Sequence, residues 1–401
     1  MISIDLDEGE NSSSLKSAII EANKFIESQF LFSKRRRLSE EIYAHIFIQD
    51  LSQQKISWVA SGVGSQSIRE DFRCSSSVND CHAETLAIRA FRLFVLDQIK
   101  NEQVDFFEEK SDNFPFEFKK NQKLILYTSL LPCGDCSKDE QGNLQSKSKA
   151  YHSAMLFKQG ISWDDNSILD KPGCLRIKPV RKDLPKEQLS LSLSCTDKLA
   201  LSQLSGIQGN YLYNLIGPVY LDQLVVEGNS NILPWSKEAL DIESRFGFNK
   251  KILFWKKKKI GFFQYHKMEL TINQFLKDEV EKFSEKQKQK QSSALGVFFS
   301  SKEKKYIADF ISPSTGLREG ATIKQKDNEK CISFFSSWKV SKEISIVIQK
   351  IKKLNEIAKE LNVDLSSRSE LKLVSFPYVV LRNQIKRQLG MKDYQENTEK
   401  Q

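Results

Sequence analysis

The sequence predicts a layered α/β fold, and three observations point to it. Apolar strand-like runs alternate with helix-like segments between residues 55 and 226. The two clearest runs, KISWVASGV and KLILYTSLL, stop at a Gly-rich turn and at Pro132, both of which end strands. The helix-like segments carry their Ala, Leu, Ile and Phe on one face, as helices covering a sheet do. With 401 residues, 39% of them apolar, the chain can bury a large core as one big domain or two closely joined ones.

Taken in order, LKSAIIEANKFIESQFLF (15–32) reads as an opening amphipathic helix behind a serine cluster able to cap it. KRRR (34–37) marks a loop, KISWVASGVGSQ (55–66) a strand running into a turn, and CHAETLAIRAFRLFVLDQIK (81–100) a long helix. After an acidic loop, KLILYTSLL (123–131) is a buried strand, and Pro132 is placed to start the next helix. Residues 192–226 read as a helix, a Gly-punctuated second helix, and a strand after Pro218. Beyond 227 the pattern loosens: LFWKKKKIGFF and EKFSEKQKQKQSS read as solvated inserts or linkers, and residues 370–390 as a closing basic helical segment. No internal repeat is visible.

Charge and cysteine usage narrow the setting. The 61 Lys and Arg exceed the 52 Asp and Glu, and the resulting +9 favours a polyanionic partner. Seven cysteines, an odd number in a long chain, do not form a disulfide framework, and MISIDLDEGENSSS lacks the apolar stretch of a signal peptide. A reducing compartment, nucleus or cytoplasm, is expected. No apolar run approaches the roughly 20 residues needed to span a bilayer, so no membrane association is expected.

HAE (82–84), followed about fifty residues later by PCGDC (132–136), fits the HxE and PCxxC pattern of zinc-dependent nucleobase deaminases. Catalytic zinc takes nitrogen and sulfur donors with one position open, so His82, Cys133 and one further thiolate would supply three protein ligands. The metal's Lewis acidity brings the pKa of water toward neutrality. Glu84, two residues from His82, is the proton carrier. Both motifs are expected to open helices, whose positive ends favour thiolate. The competing reading of Cys133 and Cys136 as a redox pair gives HAE no role.

Four stretches carry a family resemblance: NDCHAE (79–84), PCGD (132–135), SCTDK (194–198), and GIQG (206–209) followed by PVYL (218–221). Together they resemble the adenosine deaminases acting on RNA. GCLRIKPVRKD (173–183) is similar, more closely, to the eukaryotic tRNA-specific branch of that family. The resemblance spans most of the chain and is weakest in the C-terminal third. It implies a cytidine-deaminase-like layered α/β/α core at about 40–230 with a large C-terminal extension at about 231–401, forming one editase domain over 1–401.

The resemblance also implies an activity and a site. The tRNA-specific branch converts adenosine 37 of alanine tRNA to inosine by hydrolysis, and an unpaired anticodon-loop base costs little to extrude. By its pattern, zinc is held by His82, Cys133 and Cys195, with Cys136, where the family has small residues, as the competing third ligand. Inositol hexakisphosphate is implied as a second, buried cofactor, with Arg89, Lys198, Lys372, Tyr378 and Arg382 as contacts. Ile88, Leu201 and Ser202 stand where the family often has Arg, Arg and Trp. Ser65 aligns with a nucleotide-contacting hydroxyl, and Asp80 and Gln208 with a polar relay between zinc and polyanion. His45, His152 and His266 read as structural or surface residues, and Cys74, Cys81, Cys174 and Cys331 as packing or free thiols. The expected partner is tRNA, with no obligate protein partner evident.

Overall fold

A computed structural model describes residues 1, 3–5, 11–32, 41–68, 72–103, 105–109, 115–137, 177–179, 189–227, 240, 250–255, 258–264, 266–273 and 294–350. Its elements are β1 (Ser3–Asp5), α1 (Asn11–Phe32), β2 (Tyr43–Asp50), β3 (Lys55–Val63), α2 (Ala83–Lys100), β4 (Phe107–Glu109), β5 (Phe116–Phe118) and β6 (Gln122–Thr128). Next come β7 (Ile177–Pro179), β8 (Leu189–Leu193), α3 (Cys195–Ser205), α4 (Gly209–Ile216), β9 (Gln223–Glu227), β10 (Lys250–Trp255) and β11 (Lys258–Gln264). The last are β12 (Glu269–Asn273), β13 (Ala294–Ser300), β14 (Lys305–Ile311) and α5 (Ser337–Lys350).

The central sheet runs β12-β9-β6-β2-β3-β13-β14, with β1 pairing the start of β3. β6, β9 and β12 are parallel, and the remaining neighbours antiparallel. Side chains alternate between faces along each strand. One face receives α1, whose Ile19, Ala22, Ile26 and Phe30 pack with Phe47, Trp58 and Ile125. The other receives α2 to α5, where Leu86, Phe94, Leu199, Leu215 and Ile344 share a core with Ala44, Ile46, Leu124 and Leu126. The result is an α/β/α sandwich, and no helix among the described residues is long and apolar enough to cross a membrane.

Two local features of β3 set how the helices pack on either face. Ile46 faces Ala60 while Phe47 faces Trp58, so Val59 is an extra residue in β3. This bulge resets the alternation and puts Trp58 and Ser61 on the same face. At Gly62, a Cβ would overlap Ala83 O, Ala87 N and Leu86 Cβ, so the missing side chain lets the first turns of α2 rest directly on the sheet. Registers such as Tyr43 with Val63, Ala44 with Thr128, Leu295 with Val63 and Ala294 with Ile311 bring the ends of β3, β6 and β14 to one edge.

Several segments differ from their sequence expectation. Ser192 and Leu193, read as the start of a helix, end strand β8 instead; LSLSL (189–193) pairs with β7, and its apolar residues alternate with serine at period two. Of LFWKKKKIGFF (253–263), residues 253–255 lie in β10 and 258–263 in β11, an antiparallel pair where a solvated linker was expected. No helix opens at Pro132: the described residues make a turn ending in a 3-10 helix, Asp135–Ser137. Gly134 holds φ +111°, outside the helical region. The central sheet also takes β12, β13 and β14 from the part of the chain read as an extension. KRRR, 281–290 and 370–390 lie outside the described residues.

Candidate active site

Three loops at the shared edge of the sheet bring the motif residues together. His82 is the N-cap residue of α2, with extended backbone (φ −67°, ψ 145°), and Glu84 lies in the first turn. Cys133 follows β6, and its loop needs Gly134, since a Cβ there would stand 2.5 Å from Ser194 Oγ. Cys195 opens α3, where Ser194 Oγ accepts the Asp197 N–H at 3.1 Å as an N-cap. The last two loops are joined: Thr196 N–H donates to Cys133 O at 3.0 Å, and Cys195 N–H to Cys133 Sγ at 3.3 Å.

His82, Cys133 and Cys195 are all buried, and their donor atoms lie within 4.8 Å of one another. Cys133 Sγ is 3.7 Å from His82 Nδ1. A tetrahedral zinc with ligands at about 2.0–2.3 Å spaces its donors about 3.5 Å apart, so one imidazole nitrogen and two thiols at this separation fit zinc. Cys136 takes another place. It is buried in the apolar core beside α2 and the sheet, its N–H donates to Thr196 Oγ1 at 3.3 Å, and it is not in the donor cluster.

The cluster's protons are tightly coupled. Cys195 Sγ donates to Glu84 Oε2 at 3.2 Å. A hydrogen bond from Cys195 holds the Cys133 pKa well below that of an ordinary thiol, against burial and with help from Lys178 and His82. Burial, and then Cys133, push Cys195 well above it. Burial also raises Glu84, with the Cys133 thiolate adding to it and His82 and Lys178 opposing. No helix opens at Pro132, so the helix end that faces the Cys133 sulfur is that of α3, whose first N–H, from Cys195, donates to it at 3.3 Å.

The sequence reading missed Lys178, which is 1% exposed in β7. Its Nζ lies 2.7 Å from Asp80 Oδ2 and 3.2 Å from Cys195 Sγ. Asp80 also accepts from Lys198 Nζ, the His82 N–H (3.0 Å), Ser67 Oγ (3.2 Å) and Thr85 Oγ1 (3.3 Å). Burial alone would raise its pKa, but Lys178 and Lys198, with His82, hold it well below the usual carboxylate range. Burial lowers Lys178, and Asp80, Cys195, Cys133 and Glu84 more than reverse this, keeping it charged. Lys178 lies in GCLRIKPVRKD, but one lysine in a basic run reads as surface charge.

The remaining candidates divide. Lys198, with 26% of its side chain exposed, reaches Asp80. Arg89 donates to Phe335 O at 2.9 Å. Gln208 donates to Ser205 O at 2.8 Å and accepts the Val219 N–H at 2.9 Å, bonds that close the turn between α3 and α4. Ser65 is half-buried just past the end of β3, at the same edge as the cluster. Lys372, Tyr378 and Arg382 lie outside the described residues.

Comparison with known proteins gives the same direction. The chain is 33% identical over 156 residues to the tRNA-specific adenosine deaminase 1 of Schizosaccharomyces pombe, covering 38% of this chain and 39% of that protein. It is 31% identical over 176 residues to the protein of that name from Drosophila melanogaster, covering 41% and 43%. Double-stranded RNA-specific editase B2 of Mus musculus matches at 30% over 162 residues, covering 37% and 21%. The chain thus spans about two fifths of the length of the tRNA-specific relatives it matches. The family model of the adenosine-deaminase (editase) domain matches residues 60–401, and the chain belongs to that family.

Proposed function

We propose that this chain, as one editase domain over 1–401, hydrolytically deaminates adenosine to inosine in tRNA, with adenosine 37 of alanine tRNA as its target. The observation that carries this reading is the Glu84 carboxylate standing against the His82, Cys133 and Cys195 cluster at the edge where three loops meet. The relatives named as tRNA-specific favour tRNA over other RNA, and the +9 charge suits a polyanionic substrate.

A zinc ion held by His82, Cys133 and Cys195 would supply Lewis acidity that makes water a nucleophile near neutral pH. Glu84 takes one proton from the attacking water and gives it to N1 of adenine as oxygen adds to C6. It then carries the second to the exocyclic amine, which leaves as ammonia. Its raised pKa suits a group that must both hold and release a proton. Lys178, fixed by Asp80, keeps positive charge beside the Cys195 sulfur and orients it.

Inositol hexakisphosphate is proposed as a second cofactor on the resemblance, with Arg89 and Lys198 as its described contacts. Guanidinium and ammonium groups on adjacent helices suit phosphate, while Leu201 and Ser202 are buried where the family has Arg and Trp. Denaturing the purified protein should release one inositol hexakisphosphate per chain, and none released would overturn this assignment.

The activity is tested by incubating the purified protein with total tRNA and with mRNA, then mapping inosine by sequencing. Inosine at position 37 of alanine tRNA is expected. Inosine at position 34 of tRNA, in mRNA only, or nowhere would reject the reading.

A further inference from the structure

The edge of the sheet that carries the donor cluster also carries a second constellation, in the loop after β14 and the start of α5. Phe335 points inward and is fully buried, edge-on to Phe298 at 6.3 Å, with its carbonyl accepting from Arg89. Its neighbour Phe334 points outward, 37% exposed, with the Arg318 guanidinium 4.3 Å from its ring centre. Close by in sequence, the half-buried Trp338 carries Lys339 Nζ at 5.3 Å and Lys342 Nζ at 5.0 Å from its ring centre.

Both rings sit on fixed backbone. Phe334 N–H donates to Asp309 Oδ2 at 3.1 Å, and Arg318 Nε lies 3.1 Å from Asp309 Oδ1. Trp338 N–H donates to Ser75 O at 2.9 Å, and Val78 N–H to Gly316 O at 2.7 Å. These last two bonds tie the constellation to the segment that leads into Asp80 and His82. Residues 318–342 hold six Lys and Arg against three Asp and Glu. Glu329 lies 3.8 Å from Lys339 and 2.9 Å from Lys342, but exposed ion pairs are weak and exchange readily for phosphate.

One exposed phenylalanine would carry no meaning. Two aromatic rings, each beside cations and held on backbone tied to the segment that leads into the cluster, form the combination that binds unpaired nucleic acid: faces for base stacking and charges for phosphates. We propose that Phe334, Trp338, Arg318, Lys339 and Lys342 dock an unpaired stretch of the substrate RNA flanking the target nucleotide. This rests on the proposed activity on RNA and adds where the strand runs.

The test measures binding without turnover, by fluorescence anisotropy of a labelled stem-loop RNA across a salt series. It compares the wild type with Phe334→Ser and with Lys339→Glu/Lys342→Glu, each checked for folding by thermal melting. Phe334→Ser should weaken binding roughly tenfold, and the double variant should lower the slope of log K against log salt by about 1.4, or 0.7 per phosphate contact. A fully paired RNA should bind without dependence on Phe334. Unchanged affinity and slope in both variants, with inosine still formed by the wild type, would overturn the docking surface alone. Loss of stem-loop binding in the variants, with no inosine formed by the wild type, would uphold the surface and sink the proposed activity. A wild type that binds no RNA would overturn both.

Discussion

The two faces of the central sheet both bury polar groups, and they do so in opposite ways. On the α2 and α3 face, Asp80 and Lys178 stay charged because they are paired, Cys133 is favoured as thiolate, and Cys195 keeps its proton, donated to Glu84. On the α1 face the network around His45 is neutral. His45 is fully buried, stacked on Tyr127 at 5.7 Å and 6°. Its Nε2 donates to Asn23 Oδ1 at 2.9 Å, and its Nδ1 accepts from Ser61 Oγ at 2.7 Å. Ser61 Oγ in turn accepts from Trp58 Nε1 at 2.8 Å, so every proton has one place. Burial lowers the His45 pKa to about 3. One face keeps charge ready for chemistry, and the other spends its polar groups on a fixed tautomer that seats α1.

The largest effect that can break this contrast is loss of Glu84, the proposed proton carrier. Glu84→Ala should lower turnover by about 10²–10⁴-fold, while metal content, measured by mass spectrometry, stays at the wild-type level. Retained turnover would remove Glu84 from the mechanism. Removal of a ligand comes next: Cys195→Ala should lose zinc on dialysis, while Cys136→Ala should keep it, since only Cys195 is in the donor cluster.

Lys178→Met leaves Asp80 with a weaker set of partners and should cost roughly 3–5 kcal/mol, read as a drop in the chemical denaturation midpoint. A loss below about 1 kcal/mol would show that Lys198 alone satisfies Asp80. The smallest effect tests the neutral face. With His45 near 3 when folded and 6.5 when unfolded, the unfolded chain takes up a proton that the native state refuses. Stability should therefore fall as pH drops below 6.5, by up to about 1.4 kcal/mol per unit from this group. His45→Gln should flatten that part of the profile, and an unchanged slope would assign it elsewhere.

What was legible in the sequence was local. HAE and PCGDC point to the proposed chemistry because His82 and Glu84, the proposed ligand and proton carrier, sit two residues apart; the turn at Cys133 was not legible, since Pro132 suggests a helix start. The choice between Cys136 and Cys195 was not legible from spacing, because it depends on α3 docking sixty residues away through Thr196 and Cys133. Lys178 was hidden because burial of a lysine is decided by where the chain places Asp80 and Cys195. The strands β8, β10 and β11 were obscured by serines and lysines whose composition suggests exposure. The sandwich itself was readable from alternating runs, but not the recruitment of β13 beside β3, a pairing that spans more than two hundred residues, with β14 following on β13.

The central claim is a metal centre of one histidine and two cysteines with Glu84 beside it. X-ray absorption at the zinc edge of the zinc-loaded full chain tests it most directly. One zinc per chain is predicted, with one imidazole nitrogen at about 2.0 Å and two sulfurs at about 2.3 Å. Three sulfurs, or a chain that retains no zinc, would contradict it.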